Sequence, residues 1–317
     1  MTTLHSSTET LKLNNGATIP QVGLGTWRSP DDEGYNAVKS ALKDGYRHID
    51  TAKAYGNEEV VGRAVRDFIK ESGVPRSEIF VTTKLWCTDF KDPVKAVKGS
   101  LVRLGLDYVD LLLMHWPLPM PEGEGKFPTN PDGSRKLIKF DEWNYLDTYR
   151  AMQKLVELKL TKAIGISNFN IPKIEAVLND KDIHIAPAAL QVELHPYLPQ
   201  DELLAYCKKH GIVVEAYSPL GSAGAPLLKE KVLVDIAEKY GATPATIAVS
   251  WGVQRGSVIL PKSVNPQRIA ANLKIVTLSE EDMDAVNSIQ KTTHKRLIDP
   301  DWGVNVFDTD YKFQKVE

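Results

Sequence analysis

Apolar residues fall along this chain in short runs, each closed by polar or glycine-rich punctuation and followed by a longer stretch with helical spacing. The runs occupy residues 21–25, 48–50, 79–84, 109–115, 163–167, 188–193, 213–217 and 258–261. The stretches of helical character lie at 31–43, 58–71, 93–104, 141–158, 173–179, 201–210, 228–240 and 266–273. A strand buried on both faces reads as a continuous apolar run, and an intervening helix brings the next strand back parallel. Eight strand-helix units in strict alternation predict an α/β fold, a (β/α)8 TIM barrel, formed as a single domain over residues 1–317. A doubly wound open sheet is the competing architecture.

Three segments stand outside the alternation. Thr10, Leu11, Lys12 and Leu13 alternate, Asn14-Asn15-Gly16 supplies residues suited to a tight turn, and Ala17-Thr18-Ile19 returns, which predicts an N-terminal β-hairpin. Residues 117–136, rich in proline and glycine, are long for a connection and read as a binding loop or lid. The tail from 294 to 317 carries Trp302, Phe307, Tyr311 and Phe313 in an otherwise polar stretch, so it is expected to fold across the barrel mouth. Gly23-Leu24-Gly25 opens a GxGxxG pattern, but the third position is Arg28 and no helix begins there, so a Rossmann reading is set aside.

Composition narrows the function classes. With 39 basic and 41 acidic side chains and a net charge of −2, the chain lacks the basic excess of a nucleic-acid binder. No apolar run approaches the ~18 residues that span a bilayer, and the polar N-terminus has no secretory pattern, so a cytoplasmic protein without membrane partners is expected. Cys87 and Cys207 are read as reduced thiols, and the seven histidines show no metal-binding spacing. No self-complementary face stands out, and a monomer is expected.

The chemistry lies at the ends of the runs. In a barrel these ends open into the mouth where ligands bind. Here they carry Trp27, Asp50 with Tyr55, Lys84 with Trp86, His115 with Trp116, Ser167-Asn168, Gln191 with Glu193, Tyr217-Ser218 and Lys262-Ser263. Each residue alone has an ordinary structural reading: a surface aromatic for Tyr55, a turn cap for Asp50, a solvated Lys84, a core histidine for His115. Their conjunction at successive strand ends argues for a shared purpose. An ammonium beside a phenol favours the phenolate, so Lys84 is expected to bring Tyr55 below its ordinary value of about 10, with Asp50 as counter-charge to Lys84. His115 would orient a polar substrate group. Such a set protonates a developing oxyanion but holds no hydride source, so a redox reaction needs a cofactor.

The segment His48-Ile49-Asp50-Thr51-Ala52-Lys53-Ala54-Tyr55-Gly56-Asn57-Glu58 resembles the HIDTAxxYxNE signature of the aldo-keto reductase superfamily. The resemblance extends through Gly23-Leu24-Gly25-Thr26-Trp27, Thr83-Lys84-Leu85-Trp86, Leu113-Met114-His115-Trp116-Pro117 and Gly165-Ile166-Ser167-Asn168-Phe169. It continues through Gln191-Val192-Glu193-Leu194-His195-Pro196, Ala216-Tyr217-Ser218-Pro219-Leu220-Gly221 and Leu260-Pro261-Lys262-Ser263. The branch it is most similar to is that of the fungal aldehyde reductases. The resemblance implies a barrel that binds NADPH (NADP) without a Rossmann domain, and a catalytic tetrad of Asp50, Tyr55, Lys84 and His115 with Tyr55 as general acid. It implies that Ser167, Asn168 and Gln191 hold the nicotinamide carboxamide and that Tyr217 stacks on the ring. Ser218, Leu220 and Ser222 would line the pyrophosphate. Lys262, Ser263, Val264, Asn265, Arg268 and Asn272 would surround the adenosine 2′-phosphate and adenine. Trp27, Trp86 and Trp116, with His115, would line the substrate pocket; the tail is the least family-like region, and Trp302 on it is a separate expectation for substrate choice, not one the resemblance carries. Family members often place a glutamate where this chain has Ala271, a departure at the adenine end.

The reading that follows is NADPH-dependent reduction of a small-molecule aldehyde or ketone, reversible as oxidation of an alcohol or polyol such as glycerol. Because Lys262 and Arg268 supply charge for a phosphate that NADH lacks, a strong preference for NADPH is expected. Two other classes fit parts of the pattern. A barrel glycosidase would use paired carboxylates, for which Glu193 and Glu215 can be nominated. An NADPH-binding redox-sensing auxiliary module would keep fold and cofactor with little turnover.

Overall fold

The computed structural model describes residues 3–222, 224–304 and 306–307. In chain order the elements are β1 (His5–Ser6), β2 (Thr10–Lys12), β3 (Thr18–Pro20), β4 (Leu24–Gly25), α1 (Asp31–Asp44), β5 (His48–Asp50), α2 (Glu58–Ser72), β6 (Phe80–Leu85), α3 (Pro93–Leu104), β7 (Val109–Met114) and α4 (Tyr145–Glu157). They continue with β8 (Thr161–Ser167), α5 (Ile171–Leu178), β9 (Ala189–Glu193), α6 (Asp201–Lys209), β10 (Val213–Tyr217), α7 (Lys231–Tyr240), α8 (Pro244–Gln254), β11 (Val258–Leu260), α9 (Pro266–Asn272), β12 (Lys274–Ile275) and α10 (Glu280–Thr292).

Strands β4 to β11 pair in sequence order, all parallel. The first and last meet through bridges between Val22 and Ile259 and between Gly25 and Lys262, so the sheet closes into the expected barrel and not an open sheet. The seam is held by the amides of Gly23 and Gly25, which donate to the carbonyl oxygens of Ile259 and Pro261 at 2.9 and 3.1 Å. A side chain at Gly23 would collide with His48 and Leu260, and one at Gly25 would press on the Leu260 carbonyl. The glycines that mimic a nucleotide fingerprint are therefore there to let two strand ends approach.

Alternation along the strands sorts the residues. Leu111 and Leu113 of β7, Phe80 of β6, Ala163 of β8 and Leu260 of β11 pack in the barrel interior, while Leu112 and Met114 join the core between strands and helices. The predicted hairpin forms as β2 and β3 and plugs the floor: Leu13 and Ile19 belong to the interior cluster. Asn15 Nδ2 donates to the Lys162 carbonyl at 3.0 Å and Asn14 Nδ2 to that of Pro187 at 2.9 Å, at the starts of the neighbouring strands. Below is sealed, so the opposite end is the mouth.

The eight predicted helical segments all contain helices, with α3 at the expected bounds, but α8 and α10 were not anticipated. Helix α8 buries residues nearly all round, from Thr246 to Gly252, so it shows no polar face to read. Helix α10 carries a legible start, Ser279 accepting from the Asp282 amide at 3.2 Å, inside what had been read as connection. The pairing of β1 with β12 joins chain ends that local pattern does not relate. Among the described residues no helix is long and apolar enough to cross a membrane.

Candidate active site

The same alternation that fills the interior brings Asp50 (β5), Lys84 (β6), Gln191 (β9), Glu215 and Tyr217 (β10) onto the inner face. Above them a cavity of about 480 Å³ opens at the C-terminal ends of the strands. Asp50, Tyr55, His115, Ser167, Asn168, Gln191, Tyr217, Ser218, Leu220, Ser222 and Lys262 line it, as do Trp27, Trp86, Trp116 and Trp302. Residues drawn from positions far apart in sequence thus converge on one site.

Lys84 is its fixed point. Its ammonium, 1% exposed, donates to both Asp50 oxygens at 2.7 Å, to the Thr51 carbonyl at 3.0 Å and to the Tyr55 hydroxyl at 3.1 Å. Burial works against that charge, yet Asp50 and Tyr55 outweigh it and hold Lys84 above the usual lysine range. For Tyr55 the expectation fails in sign. Burial is the largest influence and, helped by Asp50, outweighs the opposing pull of Lys84, so the phenol lies above its ordinary value. The ammonium is shared with a carboxylate, which blunts its effect on the phenol. His115 lies edge-on to Tyr55, ring centroids 5.7 Å apart. Burial first, then the charges of Lys84 and Lys126, push it well below the ordinary histidine range, so the ring is neutral at physiological pH.

A second network fixes the far wall. Tyr217 donates its hydroxyl to Asn168 Oδ1 at 2.8 Å, and Asn168 Nδ2 donates to the His115 carbonyl at 2.9 Å and to Ser167 Oγ at 3.1 Å. Gln191 Nε2 donates to Asp50 Oδ2 at 2.9 Å and to Glu215 Oε2 at 2.7 Å. Both amide nitrogens are thus spent within the protein. The Gln191 carbonyl oxygen, the second lone pair of Asn168 Oδ1 and the Ser167 hydroxyl proton have no partner among the described residues. Two acceptors and one donor on one wall complement a primary carboxamide.

At the β4–β11 seam, Lys262 is held below the ordinary lysine range, by burial first, with Arg268 and Arg28 adding to the effect and Glu33 opposing it. Arg268 Nε reaches Ser263 Oγ at 3.3 Å, and Asn265 caps α9 by accepting from the Arg268 amide at 3.0 Å. Ser263, Val264, Asn265, Arg268 and Asn272 lie beside the cavity and do not line it, and Asn272 is buried. Three cations, Lys262, Arg268 and Arg28, against the single carboxylate of Glu33 leave a net positive charge suited to an anion. Four non-glycine residues on the cavity wall, Arg28, Asn168, Ser218 and Ser222, hold left-handed backbone, with φ of 56°, 64°, 51° and 59°. Strain of this kind gathers at functional sites.

The tail crosses the mouth as expected. Trp302 stands 4.9 Å from Trp116 and 6.3 Å from Trp86, and Phe307 is 6.1 Å from Trp116, while Tyr311 and Phe313 lie outside the described residues. Among the lining residues to which the sequence reading gave no site role are Ile298, Arg28, Lys126 and Phe127. The last two belong to the loop already singled out, but nothing in its composition says which side chains turn inward. Glu193 and Glu215 line no part of the cavity. Glu193 is held by His195 and by the amides of Leu297 and Ile298, so the paired carboxylates of a glycosidase do not face a substrate.

Comparison with known proteins agrees with this geometry. The Aldo/keto reductase family profile matches residues 21–291. A Saccharomyces cerevisiae glycerol 2-dehydrogenase (NADP(+)) is 55% identical over 95% of this chain and 97% of its own, and the aldehyde reductase YPR1 of that yeast is 53% identical over the same shares. The solved aldose reductase of Schistosoma japonicum superposes with a TM-score of 0.88 at 38% identity, over 94% of this chain and 98% of its own.

Proposed function

Because the chain belongs to the aldo/keto reductase family and is an enzyme of oxidoreductase type, we propose that it reduces aldehydes and ketones to alcohols with NADPH, and oxidises alcohols or polyols by the reverse step. The observation that carries this reading is the buried Asp50–Lys84–Tyr55 chain under a cavity whose walls complement a carboxamide at one end and a phosphate at the other.

Ser167, Asn168 and Gln191 would hold the nicotinamide carboxamide, and the Tyr217 ring, pinned through its hydroxyl, offers a flat face for the nicotinamide. Ser218, Leu220 and Ser222 would border the pyrophosphate. Lys262, Ser263, Val264, Asn265, Arg268 and Asn272 would take the 2′-phosphate and adenine, with Arg28 beside them. The bound cofactor supplies the hydride that no side chain here can give. Tyr55 holds the proton for the developing alkoxide. Its raised pKa keeps the phenol protonated at neutral pH, and when the proton leaves, the Lys84 ammonium at 3.1 Å stabilises the phenolate. Neutral His115 hydrogen-bonds the carbonyl oxygen and directs it toward Tyr55. Trp27, Trp86, Trp116 and Trp302 exclude water and favour apolar substituents. The single barrel domain of residues 1–317 would act as a monomer in the cytoplasm, with no nucleic-acid partner.

Steady-state assays with NADPH and NADH, paired with cofactor-fluorescence titration, test the reading. Tyr55→Phe should lower kcat by roughly 10²–10⁴-fold while leaving NADPH affinity within a few-fold. The wild type should favour NADPH strongly in kcat/KM. A phenylalanine variant that keeps most of its activity would remove Tyr55 as acid, and equal efficiency with NADH would remove the 2′-phosphate site.

A further inference from the structure

The cavity lining carries one carboxylate, Asp50, which Lys84 already neutralises, and three cations: Arg28, Lys126 and Lys262. Arg28 and Lys262 are neighbours at the β4–β11 seam and fall to the cofactor phosphates under the reading above. Lys126 stands apart, at the end where the substrate carbonyl would lie. Its backbone carbonyl accepts from Trp86 Nε1 at 2.7 Å, which anchors this point of the long loop to the pocket wall. Its ammonium turns inward, donating to the carbonyl oxygen of Ala54, the residue before Tyr55, and lies 5.2 Å from the Phe127 ring centroid. The charge reaches the substrate end, since it is one of the influences on His115. Among the described residues no carboxylate pairs with it. The acids of its own loop are engaged elsewhere, Glu122 with Lys95, Glu124 with Lys136 and Asp132 with the amide and hydroxyl of Ser134.

We propose that Lys126 is a specificity determinant that selects carbonyl substrates bearing a carboxylate within a few bonds of the reacting carbon. An unneutralised ammonium beside aromatic walls attracts an anion more strongly than it would in open water, and a lysine offers a point charge that does not demand one fixed geometry. The carboxylate would replace the weaker Ala54 carbonyl as partner to the ammonium, leaving the aldehyde or ketone group to His115 and Tyr55. The residue is exposed to solvent overall, which limits the gain to about an order of magnitude. The proposal names the substrate class for the reductase reading and rests on it.

The test compares glyoxylate, 4-oxobutanoate and 4-formylbenzoate, each with its methyl ester, as substrates with NADPH. The readout is the acid-to-ester ratio of kcat/KM in wild type, Lys126→Met and Lys126→Arg, so that intrinsic differences in aldehyde reactivity cancel between enzymes. For at least one pair the ratio should fall about tenfold in Lys126→Met, through KM more than kcat, and return toward wild type in Lys126→Arg. In the wild type it should also shrink as salt rises from about 10 mM to about 300 mM. Thermal unfolding of each variant, measured in parallel, confirms that the fold is retained. Ratios equal in all three enzymes, or insensitive to salt in the wild type, overturn the role of Lys126 while leaving the reductase reading intact. Absence of NADPH oxidation with every ester and every acid removes the reductase reading, and the proposal with it.

Discussion

Glu215 is a carboxyl group folded into the inside of the barrel. It is wholly buried, takes a hydrogen bond from Gln191 on Oε2 and has no partner on Oε1. Burial above all, and the neighbouring charge of Asp50, push its pKa up from 4.5 to about 8. The group is therefore neutral at pH 7 and leaves the Asp50–Lys84 pair without a second negative charge. A carboxyl whose folded pKa is raised favours the fold fully below its unfolded value near 4.5, and that contribution is lost as pH rises through about 8. Glu215→Gln should accordingly melt close to the wild type at pH 5 and above it at pH 9, with the gap opening between. A gap that is constant across pH in calorimetric scans would mean that Glu215 titrates as an ordinary exposed acid. The residue was visible in the sequence only as a carboxylate near a strand end. That it is neutral follows from its burial and from the balance among Asp50, Lys84 and Gln191, which three other strands supply.

Helix α2 shows how closely the outer layer is fitted. A Cβ at Gly62 would collide with the Leu104 carbonyl oxygen at the end of α3, so backbone meets backbone there. In an isolated helix, replacing glycine by alanine gains up to ~1 kcal/mol. At this contact the sign reverses, and Gly62→Ala should destabilise the protein by about 2 kcal/mol or more as the two helices are forced apart. The urea midpoint should fall with the slope unchanged; a midpoint at or above the wild-type value would show that the helices separate freely. Helix positions themselves were largely legible, because amphipathic spacing and punctuation are local properties. The miss of α8 has the converse cause: a helix buried on all sides carries no stripe, and only its neighbours define it.

At the scale of the whole molecule, the tail is tied to the barrel by a buried acid. Glu193 at the end of β9 accepts from the amides of Leu297 and Ile298, both at 2.8 Å, and from His195 at 2.7 Å. Burial raises the pKa of this carboxyl, but its hydrogen bonds with His195, Ile298 and Leu297 together prevail and hold it below the usual glutamate range. With a depressed folded value, the strap is at full strength above the unfolded pKa and weakens as pH falls through the folded one. Glu193→Gln should thus speed hydrogen exchange in the segment around 297–304 at neutral pH, with the barrel strands unaffected, and acidification should do the same to the wild type. Protection that is unchanged in both cases would place the anchor elsewhere. Because Trp302 reaches the cavity from this strap, substrate KM should rise with the loosening.

The chain's own pattern determines the repeating strand and helix units, the hairpin and the residues that end each run, since each depends on neighbours a few positions away. Motif spacing around Asp50, Tyr55, Lys84 and His115 carries the candidate chemistry for the same reason. What tertiary structure alone decided is electrostatic and steric. Whether Lys84 or burial governs Tyr55, whether Glu215 bears a charge, and which side chain of the long loop faces the mouth all depend on desolvation and on partners brought from distant strands. Two acidic or basic letters in a sequence look alike, and only the closed barrel determines which of them meets water.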